Sequence, residues 1–168
     1  EIVAAACRQL APTYPDLLLI IVPRHPERGP GIVERLSAQG FLAAERSRGD
    51  TPSTRHQIYV ADTVGELGLF YSLAPIAFIG GSLVPHGGQN PLEAVKLGAA
   101  VLTGPHVHNF KDAYTGLLRR KGARAVTSVD ELAAAIAALL ADPAAQALQT
   151  ARARQAVALM AGGLDRTL

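Results

Sequence analysis

The stretch "IAFIGGSLVPHGGQNPLEAVKLGAAVLTG", Ile76 to Gly104, decides how the chain folds. "IAFIGG" is the most hydrophobic run in the sequence, and "AVLTG" closes the stretch with a second apolar run. Both are short and continuous rather than alternating, as strands covered on both faces are. Between them "PLEAVKLG" carries helical signals, with Pro91 at its first turn and Gly98 just past its end. Strand, glycine-rich loop, helix, strand is a βαβ unit, and its right-handed crossover implies parallel strands.

The same alternation extends in both directions. Upstream, "EIVAAACRQL" reads as a helix and "LLLIIVP" (Leu17 to Pro23) as a buried strand. "GIVERLSAQG" reads as a helix ending at Gly40. "FLAAERS" and "HQIYVAD" are strands around the polar loop "RGDTPSTR", and "GELGLFYSLA" is a short helix. Downstream, "FKDAYTGLLRRKG" is a helix and "ARAVTS" a weak strand. "VDELAAAIAALLAD" is an amphipathic helix with Ser128 or Asp130 near its start. A last Ala-rich helix begins at Pro143. The pattern predicts an α/β fold of the Rossmann-like kind: a parallel sheet flanked by helices, as one domain over residues 1–168.

The composition agrees. The chain has 168 residues, 49% hydrophobic, with 16 Lys and Arg against 14 Asp and Glu. That supports a soluble globular core and argues against disorder. The basic residues are scattered, so no nucleic-acid partner is expected. The single cysteine, Cys7, allows no disulfide framework and reads as a small hydrophobe on a helix. No apolar run reaches the length of a membrane span. The chain starts without Met in the middle of a helical pattern, which reads as a fragment of a longer protein.

In open parallel sheets, ligands bind beyond the carboxyl ends of the strands. Three loops leave strands there: "PRHPERGP", "DTVGELG" and "GGSLVPHGGQNPLE". In the third, Gly80, Gly81, Gly87 and Gly88 would let backbone N–H groups approach a ligand. Asn90 suits an N-cap, Pro91 the first helical position and Glu93 the third. The set is equally a ligand-binding helix start, favouring an anion, and a plain capping pair behind a tight turn. It matches neither the dinucleotide G-x-G-x-x-G nor the P-loop. In the first loop, Arg24 lies one residue beyond Pro23. It is read either as reaching a phosphate or carboxylate or as pairing with Glu27. His25 is read as structural or as a ligand donor. In the second, Asp62 or Thr63 is a candidate N-cap, and Gly65 permits close approach by a nucleobase edge. His106-x-His108 lacks a third ligand at a plausible spacing, so no metal is expected. Ser82 does not lie in a G-x-S-x-G elbow.

Taken together, "VPRHPERG", "PST", "DTVGEL", "AFIGGSLVPHGGQNPLEA" and "GPHVHNFKD", in this order, resemble the C-terminal half of the 3-deoxy-D-manno-octulosonic acid (Kdo) transferases. These are the lipid A Kdo transferases, inverting glycosyltransferases of GT-B type. The resemblance runs from about Val3 to about Ala141.

It implies the following. The chain is the donor-binding domain, which takes CMP-Kdo or CMP. Pro23, Arg24, Val64, Gly65, Glu66, Asn90, Pro91, Leu92 and Glu93 are the CMP-binding residues. Glu93 accepts from the ribose hydroxyls, Arg24 and the helix start at Asn90 stabilise the departing phosphate, and Val64 to Glu66 hold the cytosine through the backbone. His25, Gly80, Gly81, Ser82, His86, Gly87 and Gly88 are candidates to line the sugar and phosphate pocket. No cofactor or metal is implied. Catalytic residues belong to an N-terminal acceptor domain that this chain lacks. Through that domain the parent enzyme would meet the lipid A precursor (lipid IVA) at the cytoplasmic face of the bacterial inner membrane, in lipopolysaccharide biosynthesis. The fragment itself is expected to be soluble and to bind CMP without catalysing transfer. Alternatives are the donor half of a GT-B enzyme using a UDP-sugar, and a catalytically silent nucleotide-binding module. In GT-B proteins the terminal helix often crosses to the other domain, so the tail from Pro143 to Leu168 is expected to be displaced. Five positions depart from the commoner pattern: Gln89 stands for His, Pro85-His86 for a pair ending in Arg, His108 for an aromatic, and Val64 for Met.

Overall fold

Two three-stranded parallel sheets organise the chain. A computed structural model describes residues 1–164. It divides into two compact units, Glu1–Leu67 and Gly68 onward.

In the first unit, helix α1 (Ile2–Leu10) precedes strand β1 (Leu19–Ile21). A 3-10 turn at Pro26–Arg28 leads into helix α2 (Gly29–Ala38), followed by β2 (Ala43–Glu45) and β3 (Ile58–Val60). The sheet order is β1-β3-β2, all parallel, with Ile21 and Glu45 both opposite Val60. Every strand therefore ends on the same side. The apolar run Leu17 to Pro23 contributes only three ladder residues, those that lie opposite Ile58 to Val60 of β3. Ala4, Leu36, Phe41, Ile58 and Val60 form the core. Cys7 lies on α1, half-buried, and burial pushes its thiol up to about 11, which suits a hydrophobe and not a nucleophile.

The second unit carries helix α3 (Leu67–Leu73), whose first residue closes the preceding unit. Then come β4 (Ile76–Phe78), α4 (Leu92–Lys96), β5 (Ala100–Thr103), α5 (Lys111–Arg119), β6 (Ala123–Ala125), α6 (Val129–Ala141) and α7 (Pro143–Leu164). Sheet order is β4-β5-β6, again parallel. All four residues of central β5 are buried, and it meets the βαβ reading of Ile76 to Gly104. The α/β class is as the sequence predicts, but the ladder hydrogen bonds make two sheets, one in each unit, rather than one.

The last helix departs from expectation. α7 is not displaced from its own unit. It turns by 106° from α6 and lies along α5, α4 and β5. Ala153 and Ala156 are buried, and Gln149 donates to the Val101 carbonyl at 2.9 Å. Small residues permit this contact: a Cβ on Gly122 would fall 2.5 Å from Ala153 Cα. The rest of that expectation, residues 165–168, lies outside the described residues. Among the described residues, no single helix is long and apolar enough to cross a membrane.

Ser128 caps α6, accepting from the Glu131 N–H at 3.1 Å, while Glu131 accepts from the Thr127 N–H at 2.7 Å. Ser128→Ala should lower stability by about 1 kcal/mol, read as a shift in the urea midpoint.

Candidate functional site

In the first unit, the first and second loops leave neighbouring strands, β1 and β3, on the same side of the sheet. Pro23 is half-buried, whereas Arg24 and His25 are exposed. Glu27 lies 3.6 Å from His25 Nδ1. Both side chains stand largely in solvent, so this is a weak pair.

The second loop is built from two carboxylates. Asp62 caps no helix, because α3 begins only at Leu67. It turns instead to the segment after β2, where Oδ1 accepts from the Ser47 N–H at 2.9 Å and Oδ2 from the Ser47 hydroxyl at 2.6 Å. Burial pushes the Asp62 carboxyl up, but the Ser47 hydrogen bonds outweigh it and hold it below the usual range. Gly29, at the start of α2, packs on this carboxylate so closely that a Cβ would fall 2.2 Å from Oδ2. At the other end of the turn, Glu66 takes a two-pronged ion pair from Arg46, Nε to Oε2 and Nη2 to Oε1, each 2.5 Å. The Thr63 hydroxyl also donates to Glu66 Oε2. Arg46, then Thr63, holds the Glu66 carboxyl at about 2. Between these ends Gly65 has φ +83°, and Val64 is 85% exposed. Arg46 and Ser47 were not singled out from sequence. The "RS" after a strand carries no motif, and only the fold brings it to the turn.

Next to Ser47, the buried Glu45 places Oε2 2.8 Å from Arg48 Nε. Its backbone N–H donates to Asp50 at 2.9 Å.

In the second unit, the glycine-rich loop is knit to the end of β5. Ser82 is fully buried. Its hydroxyl donates to the Ile79 carbonyl at 2.6 Å and accepts from the Gly104 N–H at 2.7 Å. That gives Ser82 a structural task. A Cβ on Gly104 would fall 2.1 Å from the Ser82 carbonyl oxygen. Gly87 and Gly88, both buried with positive φ, are pressed against residues 106–109. Asn109 holds them, donating from Nδ2 to the His86 carbonyl at 2.9 Å and from its backbone to Gly87 at 3.0 Å. These two glycines therefore answer to packing. Gly80 and Gly81 are less crowded: a Cβ on Gly80 would meet nothing within 4 Å. His86 is exposed. Among the described residues, no three His, Cys, Asp or Glu side chains converge as a metal site would need.

The cap position of α4 is held by Pro91 and not by Asn90, which stands one residue earlier with Oδ1 accepting from the Leu92 N–H at 3.0 Å. The reciprocal arm is missing: Glu93 does not turn back to Asn90. α4 is also only five residues, shorter than the sequence suggests, so its dipole is small. Glu93 is exposed, and its Oε1 lies 3.4 Å from where a Cβ on Gly68 would be. Burial and then the Glu93 charge push the Tyr71 hydroxyl up. Glu93 therefore presents its carboxylate beside Gly68 of α3. Pro91 is buried and Leu92 half-buried, fixing the turn on which Glu93 stands.

No family model matches the chain. It is similar to the 3-deoxy-D-manno-octulosonic acid transferase of Haemophilus influenzae, 42% identical over 141 residues, or 83% of this chain and 33% of that protein. It is also similar to that of Bordetella pertussis, 38% identical over 92% of this chain and 36% of the relative. A probable mitochondrial 3-deoxy-D-manno-octulosonic acid transferase of Arabidopsis thaliana is 40% identical over 85% of this chain and 33% of its own length. Among solved structures, the C-terminal CMP-Kdo binding domain of WaaA from Acinetobacter baumannii superposes with a TM-score of 0.88. It is 30% identical, and the match covers 92% of this chain and 81% of that one. The chain spans about a third of the length of the curated relatives it matches.

Two outcomes follow from the geometry. Ser82→Ala leaves the buried Gly104 N–H without its acceptor and should cost about 1–3 kcal/mol in urea denaturation. For Glu66 the carboxyl pKa is lowered on folding, so the ion pair contributes fully above the ordinary value of 4.5 and is lost as pH falls toward about 2. The stability gap between the native chain and Glu66→Gln should therefore stay level from neutral pH down to that ordinary value. Below it the gap should narrow, as measured by urea midpoints.

Proposed function

This chain belongs to the 3-deoxy-D-manno-octulosonic acid transferase family, and we propose that it is the donor-binding domain of such an enzyme, taking CMP-Kdo. The observation that carries this reading is the extent of the likeness to a domain described as binding CMP-Kdo: it runs along 92% of this chain. In this reading the whole protein is an inverting GT-B glycosyltransferase. It moves Kdo from CMP-Kdo to the lipid A precursor lipid IVA at the cytoplasmic face of the bacterial inner membrane. Residues 1–168 act as one soluble donor domain that binds CMP without transferring, the catalytic group lying in the part of the enzyme that this chain does not span.

Each unit offers its own candidates for the nucleotide. Glu93 is the ribose acceptor: its carboxylate is exposed, and its helix is fixed by the buried Ala94 and Val95. Val64, Gly65 and Glu66 present backbone groups to the cytosine, which suits a turn whose tip is exposed and whose ends are tied. Pro23 and Arg24 place a guanidinium toward the phosphate. When the sugar leaves, the CMP phosphate gains negative charge, and a preorganised cation there lowers the barrier. Asn90 adds an N–H donor, and Pro91 and Leu92 position Glu93. The leaving group is a monophosphate that these groups can neutralise, so the proposal needs no metal. Of the residues proposed to line the sugar side, His25, Gly80, Gly81 and His86 are the accessible ones. Ser82, Gly87 and Gly88 are buried and hold the loop of the second unit.

Isothermal titration with CMP and UMP tests the reading. CMP should bind and UMP more weakly. No CMP binding by a folded sample would sink the proposal, and a preference for UMP would favour a UDP-sugar enzyme. Glu93→Ala should weaken CMP about 10–100-fold, the range for a hydrogen bond to a charged group. Unchanged affinity would return Glu93 to the helix surface.

A further inference from the structure

We propose that Arg46 is a positioning residue for base recognition: it fixes the turn Asp62 to Glu66 in its ligand-ready form. The proposal rests on the reading of that turn as the cytosine-binding one. The turn is tied at both ends to one short segment, the 3-10 turn Arg46–Arg48 that follows β2. At its start, Asp62 accepts from the Ser47 backbone and hydroxyl. At its end, Glu66 is gripped by both prongs of Arg46. Arg46 is itself oriented from below, where Nη1 donates to the Tyr59 hydroxyl at 3.1 Å. Tyr59 is a β3 residue and buried, and its hydroxyl donates to the Asp50 carbonyl at 3.3 Å. The chain of contacts thus runs from the sheet, through Tyr59 and Arg46, to Glu66.

Within the turn the Thr63 hydroxyl ties to Glu66, and no side chain there fixes Val64 or Gly65. Gly65 is in the left-handed region and is the most permissive residue there is. Val64 buries almost nothing. The turn's conformation is therefore imposed from its ends. A ligand that hydrogen-bonds to its backbone gains affinity because the ordering has already been done. A planar, two-pronged cation can set the rotation of the Glu66 carboxylate, whereas lysine, a point charge, cannot.

Titration of Arg46→Ala and Arg46→Lys with CMP, UMP and ribose 5-phosphate tests this. The last ligand shares the sugar and phosphate but has no base. The native chain must bind CMP first; if it does not, the donor-domain reading fails and not merely this one. Given that binding, Arg46→Ala should lose about tenfold in CMP affinity as the turn loses its order. Its preference for CMP over UMP should fall toward unity, and ribose 5-phosphate should bind as it does to the native chain. Arg46→Lys should recover little of the preference. Equal losses for all three ligands would mean a general structural role and would overturn the proposal. So would an unchanged CMP preference. If Arg46→Ala does not fold, Glu66→Gln supplies the same comparison from the other partner, and the same two results would overturn the idea.

Discussion

Where a parallel strand leaves its ladder it is still buried, and the backbone groups there must be satisfied by something other than the next strand. Each unit answers this differently. Beyond β2 and β3, carboxylates do it: Asp62 takes the Ser47 N–H, and Asp50 takes that of Glu45. Beyond β4 and β5 a hydroxyl does it, with Ser82 joining the Ile79 carbonyl to the Gly104 N–H. These polar links are short and specific, those of Ser82 buried and those of Asp62 and Asp50 half-buried. They tie down the ends of short strands, and the exposed candidate Val64 stands on a segment anchored in this way.

The fold was legible because its signals are local. Continuous apolar runs, Pro91 before a helix and Gly98 after one are read within ten residues of themselves, and each element named from sequence is present in the described residues. Strand lengths were not legible. "LLLIIVP" looks like seven residues of strand, but ladder membership depends on which neighbour is in reach, and that is a tertiary fact. The docking of α7 on its own unit was missed for a similar reason. It depends on Gly122 and Ala153 meeting, two small residues far apart in sequence whose fit appears only when their backbones touch.

The candidate site was legible in a different proportion. The three loops could be found because glycine, proline and Asn90 mark them. Reading glycine as room for a ligand was incomplete. Gly87 and Gly88 are small because Asn109 and the His106 carbonyl press on them, a demand from a loop about twenty residues away. Arg46 and Ser47 could not be found at all from their surroundings in the chain. Their partners, Glu66 and Asp62, had been noticed separately as a ligand group and a helix cap. A charged pair across the sheet end has no signature in a single sequence, since any arginine can face any glutamate.

The glycine-rich loop has an uneven tolerance for change. Its two ends are fixed, by Ser82 on one side and by Gly87 with Asn109 on the other. Between them Pro85 and His86 project into solvent, and Asn109 takes the His86 carbonyl, which every amino acid possesses. The framework thus accepts almost any side chain at position 86. Here a lineage, or an engineer, can vary the exposed surface of the loop without disturbing the scaffold. One residue further on, at Gly87, even a methyl group would collide with Asn109 and His108.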